Sequence, residues 1–113
     1  MKNNNLIIKI DKLLKKNRNY LGISYENYKG ANEYTIAESI DMNLLSSGEK
    51  MSKYYQDFQS KIEKLLRDNN IEYKFINCGI GIFMYFKPKN NMQIFGVEYT
   101  FELVKPRNTK NFL

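Results

Sequence analysis

Residues 46–69, SSGEKMSKYYQDFQSKIEKLLRDN, constrain this chain more than any other stretch. On a helical wheel Met51, Tyr54, Tyr55, Phe58, Ile62, Leu65 and Leu66 share an arc of about 120°, the spacing of an amphipathic helix with one buried face. Ser46 followed by Glu49 reads as a capping box, each side chain satisfying the other's free backbone amide. On the polar arc, Asp57–Lys61 and Glu63–Arg67 stand at i,i+4 in the favourable order. Burying those side chains at about 2 kcal/mol each does not offset ordering the segment at about 1–2 kcal/mol per residue. The helix therefore needs a sheet to lie on.

The remaining sequence offers one. Asn3 to Asn17 reads as a first helix, with Leu6, Ile7, Ile10, Leu13 and Leu14 on one side, lysines on the other, and Ile8 out of pattern. Tyr20 to Tyr28 alternates as a half-buried strand through Leu21, Ile23 and Tyr25. Lys29 to Asn32 marks a turn, and a return strand from Glu33 to about Glu38 places Tyr34, Ile36 and Ile40 together. Thr35 with Glu38 is also a capping pattern, so a short helix over Ile36 to Leu45 competes with that strand. After Asp68-Asn69-Asn70, alternation at Ile71, Tyr73 and Phe75 predicts one strand. Ile80 to Phe86, apolar on both faces, predicts another at the centre of the sheet. Lys87 to Asn91 is a hairpin loop. Met92 to Val104 is the clearest strand, with Phe95, Val97, Tyr99, Phe101 and Leu103 on one side and Glu98 and Glu102 on the other. The tail from residue 106 is expected to fray. The expected fold is α+β, in the order α-β-β-α-β-β-β. Two amphipathic helices would cover one face of a mostly antiparallel sheet in a single domain over residues 1–105.

The 113 residues suffice for one core without disulfide staples. Cys78, the sole cysteine, has no internal partner, which suits a reducing cytoplasm. No run approaches a membrane span, and charges every few residues near the N-terminus do not read as a signal peptide. Abundant Lys and Asn with only three Arg point to an AT-rich bacterial, phage or plasmid genome. The net charge of +6 is unevenly spread. Lys2, Lys9, Lys12, Lys15, Lys16 and Arg18 against Asp11 leave +5 on residues 1–19. Lys29 against Glu26, Glu33, Glu38, Asp41 and Glu49 leaves −4 on residues 20–49.

Catalytic signals are thin. With no histidine, the His-based nucleophile systems and the common zinc sites are excluded. Glu98 and Glu102 lie about 13 Å apart along a strand, too far for a glycosidase pair. Glu72-Tyr73-Lys74 has the acid-x-lysine form of metal-dependent nucleases but lacks the aspartate that shares their metal. Gly79-Ile80-Gly81 opens no helix and so is no phosphate loop; a bulge or close packing accounts for it. Cys78 reads as an inert thiol. No catalytic residue, metal ligand or cofactor is expected.

Three functional readings follow. The favoured one is a small non-enzymatic accessory protein that binds another protein, such as a phage or plasmid inhibitor of a host nucleic-acid-handling defence complex of the anti-CRISPR or anti-restriction type. Its contact would be the acidic, tyrosine-rich ribbon of Tyr25, Glu26, Tyr28, Glu33, Tyr34 and Glu38, because tyrosine is enriched at interfaces and the carboxylates suit a basic groove. The alternative is direct nucleic-acid binding by Lys9, Lys12, Lys15, Lys16 and Arg18. A nuclease using Glu72 and Lys74 ranks last. Membranes are not expected as partners. If the last strand were an open edge, it would invite homodimerisation through strand pairing.

Overall fold

A computed structural model describes residues 2–28, 30–40, 48–86 and 91–104. It is α+β, with two helices and a four-stranded antiparallel sheet. Helix α1 spans Lys2–Leu14, strands β1 and β2 span Tyr20–Tyr28 and Ala31–Ser39, helix α2 spans Gly48–Asp68, and strands β3 and β4 span Tyr73–Phe86 and Asn91–Leu103. The strands lie in the order β1-β2-β4-β3. The order along the chain is thus α-β-β-α-β-β, one strand fewer than expected. Residues 71–75 and 80–86 are not two strands. A register irregularity between Phe75 and Asn77 absorbs one residue, and β3 runs on through Gly79 and Gly81.

Two further expectations about the sheet are overturned. Residues 80–86 lie in an edge strand, not at the centre, and Ile82 is 66% exposed. The last strand is no open edge. β4 lies between β2 and β3, so it offers no free edge for homodimerisation over the stretch where both neighbours pair with it. The reason is topological. β2 pairs with β4 from Glu33↔Glu102 to Ser39↔Gly96, a non-local pairing that leaves no signature in side-chain alternation. Over residues 36–39 the strand, not the competing helix, forms, because Ile36 and its neighbours complete that ladder. The Ser46–Glu49 cap, the 87–90 loop and the tail from residue 105 lie outside the described residues or side chains.

One buried cluster joins Ile10 and Leu14 of α1, Tyr34 and Ile36 of β2 with Ile40 just beyond it, Phe58, Ile62 and Leu66 of α2, Ile71, and Val97, Tyr99, Phe101 and Leu103 of β4. The register pairs Tyr34 with Phe101 and Ile36 with Tyr99, so the strand members of this core share one side of the sheet. The apolar arc of α2 predicts its buried residues well, although Met51 at its start is exposed. Neither expected ion pair on the polar arc is present. Lys61 reaches Glu38 at 3.3 Å instead of Asp57, and Glu63 accepts a hydrogen bond from Tyr99 Oη at 2.8 Å. Partners from the sheet have displaced the expected local ones; Lys64 and Asp68 pair along α2 at i,i+4, where Gln59 also donates to Glu63. Gly96 is required by crowding, because a Cβ there would stand 2.5 Å from the Glu38 carbonyl oxygen.

Candidate functional site

The alternation of a strand divides the expected tyrosine–glutamate ribbon between the two sides of the sheet. Tyr25, Tyr34 and Glu38 occupy the core side. Glu26 and Glu33 face the other way, directly opposite each other in the β1–β2 register. Tyr28 closes the β1–β2 pairing opposite Ala31, and its side chain lies outside the described set.

On the core side, Tyr34 and Glu38 are each only 7% exposed, so neither is a surface contact. This corrects their expected place in a docking ribbon: the non-local β2–β4 pairing and the helices bury them. Tyr25 alone remains open, at 54% exposure. Its ring lies 5.0 Å from that of Tyr34, and its hydroxyl donates to Asn32 Oδ1 at 2.7 Å. Glu38 accepts from Asn17 Nδ2 at 2.9 Å, Tyr54 Oη at 3.2 Å and Lys61 Nζ at 3.3 Å. Three donors on one carboxylate are what a buried charge needs. Glu38 therefore ties β2 to the turn after α1 and to α2. Burial, aided by the Glu38 charge, pushes the Tyr54 phenol up to about 12, which keeps it a proton donor at neutral pH. A cleft of about 180 Å³ opens beside this group, lined by Glu38, Tyr54, Asp57, Phe58 and Lys61. Burial likewise raises the Cys78 thiol to about 11, so it is protonated and unreactive near neutrality.

The opposite side of the sheet has another character. Glu26 faces Glu33, Glu33 faces Glu102, and Glu102 faces Lys74, making a row of charges across all four strands. Residues directly opposite on neighbouring strands stand about 5 Å apart, and like charges so placed repel. The next row is hydroxylic: Ser24 faces Thr35, and Thr35 and Thr100 share a hydrogen bond of 2.9 Å. Beyond it Glu98 lies between Ala37 and Gly79 in the register. Partial burial raises its carboxyl above the usual value. Ala37 is buried on this side; the other positions named here are exposed or partly exposed.

No protein-family model, curated protein or solved structure matches this chain.

The lysine-rich end shows less organisation. Lys9, Lys12, Lys15, Lys16 and Arg18 are all exposed. Lys15 pairs with Asp11 at 3.1 Å, and among the described residues the other four have no carboxylate partner. Glu72 and Lys74 are exposed too, and Lys74 lies opposite Glu102. Among the described residues no three His, Cys, Asp or Glu side chains converge as a metal site would require. No described helix is long and apolar enough to cross a membrane.

Glu98 and Glu102 are the members of the acidic side that the sequence reading did not assign to binding. Their shared polar parity was visible. That Glu102 meets Glu33 depends on the strand order β1-β2-β4-β3, which alternation does not encode.

Proposed function

We propose that this chain is a small non-enzymatic accessory protein that acts by binding another protein through the acidic side of its sheet. One observation carries the reading: the unbroken row of Glu26, Glu33 and Glu102 across three strands. A sheet gains nothing in folding from three carboxylates side by side, whereas a cationic partner removes the repulsion on docking. Both helices cover the core side in this reading, and the acidic side is left for the partner. A basic groove built for nucleic acid has the matching charge. The small size and AT-rich composition fit a phage or plasmid inhibitor of a cytoplasmic host defence complex, of the anti-CRISPR or anti-restriction type.

The test is capture from nuclease-treated lysates of AT-rich bacteria, read by mass spectrometry, with Glu26→Lys/Glu33→Lys as control. The reading predicts a stoichiometric protein that elutes with salt and is lost from the variant while the melting temperature holds. Equal capture by the variant refutes it.

A second reading is supported by the unpaired cations of α1 and the turn after it. Lys9, Lys12, Lys16 and Arg18, with Lys15, would contact phosphates directly. Affinity would then fall with about one power of salt concentration per phosphate contacted, and salt-insensitive binding would exclude it.

A further inference from the structure

We infer that the β3 edge is a self-association surface, on which a second copy of this chain pairs antiparallel about a two-fold axis near Ile82. The inference is independent of the acidic side, because it uses backbone groups in the plane of the sheet.

β3 is fourteen residues long and, among the described residues, pairs with β4 alone, so on its other edge no described strand takes up its backbone donors and acceptors. Natural edge strands are protected by charge, bulges or brevity. Within β3 such protection lies at the start, where Lys74 and the irregularity at 75–77 stand, and in the sequence Lys87-Pro88-Lys89 follow its end. From Phe75 to Phe86 it carries no charge. The unprotected part also lacks support within the chain. Among the described residues β2 pairs with β4 no further than Gly96, so residues 83–86 and 91–94 form a ribbon of two strands. Such a ribbon is marginally stable alone. Two-fold pairing centred on Ile82 lays residues 82–86 of each copy along residues 78–82 of the other, where the full sheet stands behind them. Both bulged ends remain outside the contact.

The strand's own sequence is complementary in this register. Position 80 falls opposite 84, and 78 opposite 86, on the core side. On the other side position 85 falls opposite Gly79, and 83 opposite Gly81. The residues there are Tyr85 and Phe83, and an aromatic residue across from an edge glycine is a recognised stabilising pair. The pairing also accounts for Gly79. Its φ is not in the left-handed region, and a Cβ built on it would meet nothing within 4 Å, so the described residues of this chain give no reason for glycine there. A second copy whose strand runs alongside in this register, with position 85 across from position 79, supplies one.

Sedimentation equilibrium of the full chain tests the inference. The wild type should be a dimer in the micromolar range. Ile82→Lys should weaken self-association by roughly a hundredfold or more, since it sets two ammonium groups against each other on the axis. Ile82 is exposed, so the variant should keep its circular dichroism spectrum and fold. In a Cys78→Ser background, Ile82→Cys should oxidise to a covalent dimer. Asn77→Cys, whose two copies lie about 33 Å apart along the strands, should not. A monomer at all concentrations, open-ended assemblies, unchanged association of Ile82→Lys, or equal cross-linking at 77 would each overturn the inference.

Discussion

The two sides of the sheet differ most sharply along a single line. Tyr25, Tyr34, Phe101 and Phe75 cross the four strands on the core side; Glu26, Glu33, Glu102 and Lys74 cross them one residue further on or back, on the other. In the first row the Tyr34 and Phe101 rings stack with centroids 5.8 Å apart and the Tyr25 and Tyr34 rings meet at a tilt, contacts that favour the folded state. In the second, two of the three adjacent pairs repel. The backbone is shared, so the contrast separates residues that folding explains from residues that it does not. Binding is therefore sought among the second set.

The largest break in this comparison comes from emptying the first row. Phe101 is fully buried at its centre and packs against Tyr34 and Tyr99. Phe101→Ala should cost about 3–5 kcal/mol, measured by urea denaturation, whereas Tyr25→Ala at the exposed end should cost about 0.2–1 kcal/mol. Equal losses at the two positions would mean that the row does not grade from core to surface.

Glu38→Ala ranks next. It removes the acceptor of three donors, leaving Tyr54 and Asn17 short of a partner, while half-exposed Lys61 turns to water. The expected loss is about 1–3 kcal/mol. Fraying should concentrate where β2 meets α2, visible as faster amide exchange there than in β4.

Much of this fold was legible because the helix and strand periods are local. Met51 to Leu66 announced α2, and the odd positions from Phe95 to Leu103 announced the core side of β4. The failures share one cause. Lys61 prefers Glu38 to Asp57, and Glu33 meets Glu102, through contacts between residues far apart in the chain. Nothing in the spacing of either partner specifies them. The central place expected for residues 80–86 fails for a different reason: apolar residues on both faces of a strand do not require burial within its own chain, and Ile82 stays 66% exposed. The ribbon that joined Tyr34 and Glu38 to Glu26 and Glu33 treated a strand pair as one surface, and alternation turned it into two.

Glu33→Gln sharpens the comparison with a smaller effect of opposite sign. It removes the middle charge of the row and should raise stability by about 0.2–1 kcal/mol while weakening the proposed protein contact. A variant that is both more stable and a poorer binder is the signature of a surface kept for docking. A less stable Glu33→Gln protein would show that the row supports the fold.

The smallest effect reads the two sides through their protons. Asp11 lies in α1, where the Tyr20 hydroxyl and then Lys15 hold its carboxyl below the usual 3.8 against the opposing effect of burial. Its contribution is present above that value and disappears as pH falls through the lowered pKa. Glu98, on the acidic side, is raised above its usual 4.5 by burial. The folded state binds its proton more tightly than the unfolded chain, so this contribution is complete below 4.5 and is lost as pH rises through the raised pKa. The two carboxylates thus tilt the stability curve in opposite directions in weak acid. Relative to wild type, Asp11→Asn should be destabilised at neutral pH, with the difference closing as pH falls below 3.8. Glu98→Gln should be slightly stabilised at neutral pH, with its difference closing as pH falls toward 4.5. Urea midpoints from about pH 3 to 7 measure both. Parallel curves for Glu98→Gln and wild type would remove the burial assigned to that side chain.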